Sequence, residues 1–126
     1  MMETEFRALV AATVAHILPL SHIAWGVLPD NTAPPAISLH QIDNADGLTQ
    51  QGPDGLWRGR VQVDCLALEY AEAAAMKDAL IAGLNGYRGG GFRLIRLDRY
   101  RDDQDKGAVD RPFLISLDFL TSWRAS

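Results

Sequence analysis

Apolar residues first recur along the chain with a helical period. Phe6, Leu9, Val10, Thr13, Val14 and Ile17 fall at i, i+3, i+4, i+7 spacing, which predicts an amphipathic helix over residues 4–17. Glu3 and Glu5 stand near its start, where the helix macrodipole favours negative charge, and Pro19 ends it. Residues 21–35 are rich in turn formers, with Pro29-Asp30-Asn31 and then Pro34-Pro35. A short strand over 36–42 runs into a polar stretch, 43–55, holding Asn44, Asp46, Gly47, Gly52, Pro53, Asp54 and Gly55. That composition predicts a long loop. The period then changes to two. Trp57, Val61, Val63 and Cys65 alternate with Arg58, Arg60, Gln62 and Asp64, which predicts a strand over 56–67 with one buried face and Trp57 in the core.

A second helix is predicted over 70–84, where Ala73, Met76, Leu80 and Leu84 form the apolar stripe and the many alanines favour helix. Asn85-Gly86 and Gly89-Gly90-Gly91 end it, because glycine reaches the left-handed region at little cost. Residues 92–99 read as a strand with imperfect alternation. They lead into a charged loop, 98–111, that carries Arg101, Asp102, Asp103, Asp105, Lys106, Asp110 and Arg111. The last strand, 113–123, places Phe113, Ile115, Leu117 and Phe119 on one face and turns Ser116 and Asp118 outward. The order helix, strand, strand, helix, strand, strand predicts an α+β fold. Its expected form is an antiparallel sheet of about four strands with two helices packed on one face.

Composition narrows this reading. A chain of 126 residues has the size of one domain, expected here to span 1–126, and can bury a two-layer core unaided. With 48% hydrophobic and 22% charged residues it has the balance of a soluble globular protein. A formal charge of -4 argues against a dedicated nucleic-acid binder, which needs a basic face. The single cysteine, Cys65, excludes an internal disulfide and fits a reducing compartment. Acids near the first residues do not suit a secretory signal, and no run approaches the roughly 18 apolar residues of a membrane helix. The expected place of synthesis is therefore the cytoplasm.

His16, His22 and His40 lack ligand spacing and nearby cysteines, so no metal site is expected. Cys65 falls on the inward face of its strand, which suits a core thiol better than a nucleophile. Gly89-Gly90-Gly91 leads from helix to strand and lacks the lysine and hydroxyl of a phosphate loop, so it is a connector. Asp102, Asp103, Asp105 and Asp110 lack a calcium ladder and are nearly neutralised by Arg99, Arg101, Lys106 and Arg111. A solvated loop is the plainer reading and a docking loop the sharper one. Trp123, close to the last residue, is a candidate for contact with a neighbour. No nucleophile with a base, no paired carboxylates and no cofactor loop emerge, so neither catalysis nor a cofactor is expected.

The stretch from Gly52-Pro53-Asp54-Gly55-Leu56-Trp57-Arg58-Gly59-Arg60 to Val61-Gln62-Val63-Asp64-Cys65 resembles the central motif of the phage tail-completion family, small domains found in prophages and gene transfer agents. Tyr70-Ala71-Glu72-Ala73, Ile115-Ser116-Leu117-Asp118-Phe119, and Trp25-Gly26-Val27 leading to Pro35-Ala36-Ile37 follow the same pattern, so the likeness covers residues 23–124. The resemblance implies a tail-terminator-like structural protein that caps the tail tube and joins it to the head-side connector. It also implies a hexameric ring of identical copies, preformed or assembled from monomers on the tail. The implied partners are further copies, the major tail protein and the connector, with DNA passing through the ring but not specifically bound. Asp54, Trp57, Arg58, Arg101, Asp102, Asp103, Asp105, Lys106, Arg111 and Trp123 are the contact residues expected on this reading. Its final place would be the virion, at the tail–head junction. A head-completion protein of the neck and a small ligand-binding α+β domain are the alternatives.

Overall fold

The computed structural model describes residues 1–28, 32–104 and 112–125, without the side chains of 49, 103 and 104. In chain order the elements are α1 (Met2–Thr13), a 3-10 turn (Leu20–His22), β1 (Ile23–Trp25), β2 (Ala36–Thr49) and β3 (Gly52–Ala67). They continue with α2 (Tyr70–Leu84), β4 (Tyr87–Gly89), β5 (Phe92–Gln104) and β6 (Phe113–Trp123). Among the described residues the strands form one six-stranded sheet in the order β1-β2-β3-β6-β5-β4. Only β1 and β2 run parallel; the other neighbours are antiparallel. The α+β class is as expected, and the four long strands, β2, β3, β5 and β6, are those the sequence pattern marks. The two additional strands are three residues each, too short to show a period.

Both helices cover one face. Strand alternation turns Ile37, Leu39, Val61, Val63, Cys65, Ile115, Leu117 and Phe119 toward them, and all are buried. α1 contributes Phe6 and Val10, and α2 contributes Ala73, Met76, Leu80 and Leu84. Phe6 is the hub: its ring lies 6.1 Å from Trp25, 6.1 Å from Phe92 and 6.4 Å from Phe119. α2 has the predicted bounds. α1 ends four residues early, where the Thr13 hydroxyl donates to the Leu9 carbonyl at 2.8 Å, a back-bond that loosens helices. In the turns that follow, Val14 is buried as expected, and Leu18 is buried more fully than the expected Ile17.

Strand replaces expected loop over much of 43–55 and, in the second expected loop, up to residue 104. Residues 43–55 continue β2 and β3 as a hairpin turning at Gln50-Gln51, with Thr49 opposite Gly52. Turn-forming residues serve here inside the ladder. Bulges interrupt β2 between Gln41 and Asp43 and between Asp46 and Leu48. Asp46 accepts from the Gly55 amide at 2.9 Å, and Asp54 from the Leu56 amide at 2.9 Å. Gly52 and Gly55 adopt φ of 116° and 76°, closed to most side chains. Similarly, β5 runs on to Gln104, so Arg101, Asp102 and Asp103 are strand residues opposite Ser116, Ile115 and Leu114. Asp105, Lys106 and Arg111 lie outside the described residues.

β3 pairs with β6 from Trp57–Trp123 to Ala67–Phe113. The β2–β3 hairpin therefore projects past one end of the sheet, and β5 reaches Gln104 at the other.

Candidate interaction surface on the open sheet face

The face away from the helices carries a polar network made by the same alternation. Ser38 and His40 come from β2; Arg60, Gln62 and Asp64 from β3; Ser116 and Asp118 from β6; Asp98, Arg99 and Arg101 from β5. The Ser116 hydroxyl donates to Asp64 at 2.6 Å, and the Gln62 amide donates to it at 2.8 Å. His40 Nε2 is 3.4 Å from Asp64 and 3.0 Å from the Ser38 hydroxyl. Arg60 donates to Asp98 at 2.7 Å and to Asp118 at 3.2 Å, while Arg101 stands 3.6 Å from Asp118. The Arg60 bond holds the Asp98 carboxyl below the usual aspartate range, and Asp98 in turn raises Arg60. Ser116 and Asp118 do turn away from the helices, as expected, yet they are only 4% and 8% exposed. Neighbouring polar side chains bury them.

Two recesses flank the base of the projecting hairpin. On the open face, a groove of about 410 Å³ is lined by Asp43, Arg58, Arg60, Leu94, Arg96 and Leu120. Its walls follow from register, with Arg60 and Arg96 opposite Leu120, and Arg58 and Leu94 opposite Ser122. Arg58 and Arg96 are exposed, and no carboxylate pairs with either among the described residues. On the helix side, a recess of about 310 Å³ separates Trp57 and Trp123 and is closed by Met1, Met2, Glu3 and Asn44. Trp57 keeps its expected face but sits on this rim, 37% exposed, because the helices do not reach over it. Trp123 is half-buried; its indole N–H donates to Glu5 at 2.9 Å, and the other Glu5 oxygen accepts from the Gly91 amide at 2.6 Å.

Of the residues singled out in the sequence, Asp54, Trp57, Arg58 and Trp123 thus gather at the hairpin end. Arg101 and Asp102 lie toward the opposite end, where the Tyr70 hydroxyl donates to Asp102 at 2.9 Å and has its own pKa raised by it. Sequence reasoning missed Glu5, Arg60, Arg96, Asp98 and Asp118. The signal for Arg60 and Asp118 was their polar register within otherwise apolar strands; Glu5 gave none beyond its place in the first helical turn. Cys65 is fully buried, and desolvation pushes its thiol far up, away from nucleophilic use. Among the described residues no group of three His, Cys, Asp or Glu side chains could hold a metal ion, and no helix is long and apolar enough to cross a membrane.

A family model described as "Tail completion protein gp17" matches residues 6–122. In fold, the chain is similar to a chain of the solved "Virion of native gene transfer agent (GTA) particle", with a TM-score of 0.62 and 21% identity over 94% of this chain and 86% of that one. Among curated proteins there is no sequence match.

Proposed function

The chain belongs to the tail completion protein gp17 family, and from that membership we propose that it is a structural subunit capping the tail tube of a phage or phage-like particle. It acts as a ring of identical copies and joins the tube to the head-side connector. The family match over residues 6–122 carries this reading. The similarity in fold to a chain of a gene transfer agent virion supports it.

The geometry is compatible with such a role. A ring closes through heterologous contacts, in which one patch meets a different patch on the next copy. The hairpin end, with Asp54, Trp57, Arg58 and Trp123, supplies such patches between copies. The opposite end, with Arg101 and Asp102, faces the tail tube or the connector on this reading, and Asp103, Asp105, Lys106 and Arg111 are assigned to the same contact from the sequence alone. Partners on this reading are further copies, the major tail protein and the connector, and the protein passes from the host cytoplasm into the virion. The work is done by binding surfaces, and no catalytic group is called for.

The test is to mix the purified protein with its cognate major tail protein and image the products by negative-stain electron microscopy. Tubes of uniform length with a ring at one end are expected. Unchanged tubes without added density would overturn the capping role and favour a head-side joining protein.

A further inference from the structure

The open-face groove and the hairpin beside it are complementary, yet they cannot meet within one chain. Asp43 and Arg58 line the groove and are also the first rungs of the hairpin, whose outer rungs lie farther along the same two strands. Its tip therefore points away from its own groove. Residues 43–56 contain Asp43, Asp46 and Asp54 and no Lys, Arg or His. Leu48, near the tip, is 81% exposed, an apolar side chain that no described residue covers. Asp46 and Asp54 each use Oδ1 within the hairpin, and among the described residues neither Oδ2 has a protein partner.

The groove offers the converse. Arg60 is committed to Asp98 and Asp118, but Arg58 and Arg96 pair with no carboxylate among the described residues and flank the apolar surface of Leu94 and Leu120. A nucleic-acid backbone fits less well, because Asp43 lines the groove and Asp98 and Asp118 lie behind Arg60. An apolar knob flanked by carboxylates matches these walls in both charge and polarity.

We infer that the hairpin of one copy seats in the groove of the next. Leu48 rests on Leu94 and Leu120, and Asp46 and Asp54 face Arg58 and Arg96. Because knob and groove are different patches, the contact is heterologous and repeats head to tail. This inference rests on the ring reading above and names the surfaces that build the ring.

Site-directed crosslinking tests it on the full chain. Leu48→Cys protein is mixed with Leu94→Cys protein and treated with a short bis-maleimide, both in concentrated solution and on tail tubes; Cys65 is buried and stays silent. A heterodimer band at least tenfold stronger than that of Leu48→Cys with Ala75→Cys, an exposed α2 control, is expected. Arg58→Glu/Arg96→Glu in the Leu94→Cys partner should abolish it. A second measurement uses sedimentation: groove-defective R58E/R96E mixed with hairpin-defective L48D keeps one intact contact, so it should form pairs and never rings. These positions are exposed, and circular dichroism checks that each variant folds. Crosslinking no stronger than the control in both settings, or undiminished by R58E/R96E, would overturn the inference. Rings on tubes without this crosslink would leave the capping function standing and remove only the contact; the crosslink without caps would do the reverse. DNA oligonucleotide binding that R58E/R96E removes, with no crosslink, would assign the groove to nucleic acid instead.

Discussion

On the helix side of the sheet, Ile37, Leu39, Val63, Leu117 and Phe119 pack against Phe6, Val10, Met76 and Leu80. On the other side, the same strands present Ser38, His40, Arg60, Asp64, Ser116 and Asp118. Both sides bury side chains, but by different physics. Apolar contact is non-directional and roughly proportional to area, so the helix side tolerates exchange among residues of similar volume. A buried polar atom needs a partner at a set distance and angle, and without one it costs the desolvation of the group. Ser116 and Asp118 are nearly as buried as their apolar neighbours, and each depends on residues more than fifty positions away in sequence. The helix side therefore supplies stability, while the open side supplies a shaped, charged surface.

Substitutions can break or sharpen that contrast. Phe119→Ala should cost about 3–5 kcal/mol in urea unfolding, the usual toll for a buried phenylalanine that leaves a cavity. A loss below about 1 kcal/mol would show that the helix side is not the main source of stability. Glu5→Ala removes a carboxylate that accepts two hydrogen bonds, from Gly91 and Trp123, and should cost about 1.5–3 kcal/mol. Its tryptophan emission should shift as the Trp123 indole loses its acceptor. On the open side, Ser116→Ala should cost about 1 kcal/mol, and a double-mutant cycle with Asp64→Ala should assign that loss to their shared bond.

A pH series separates the two sides differently. The folded-state pKa of Asp98 lies below its unfolded value, so its contribution is present above the ordinary aspartate range. It is lost as pH falls through about 4 toward the lower folded value. Asp98→Asn should flatten that acid limb of the stability curve, whereas Phe119→Ala should lower the whole curve and leave the limb's slope unchanged. The smallest effect is expected from Leu48→Asp, which should alter stability by no more than about 0.5 kcal/mol while removing self-association.

The helix side was largely legible in the sequence. Periods of 3.6 and 2 gave α2 its bounds, put the four long strands in order and turned Val61, Val63, Cys65, Ile115, Leu117 and Phe119 inward. The open side and the hairpin were not. Asn, Asp, Gly and Pro between 43 and 55 carry the signature of a loop, but here Asp46 and Asp54 bond to ladder amides, and Gly52 and Gly55 sit at positive φ, one at the turn and one across from the Asp46/Leu48 bulge. Local composition cannot distinguish these uses. The charged run after Arg99 continues β5 because one side faces α2, where Asp102 meets Tyr70, and the other joins the polar network through Arg101. Asp54, Trp57, Arg58 and Trp123 were found as single residues; that they converge on one end follows from the pairing of β3 with β6, which no local pattern contains.

The ties made by α1 also set an order of events during synthesis. Phe6 packs on Phe92 and Phe119, and Glu5 binds Gly91 and Trp123, so α1 is made early but completed by β5 and β6. Contacts so distant along the chain slow folding, since loop-closure entropy is spent before they form. Until β6 leaves the ribosome, the apolar stripe of α1 and the inner face of the β2–β3 hairpin lack their final cover. The nascent chain is most open to chaperone capture before β6 emerges, and its emergence lets the core close.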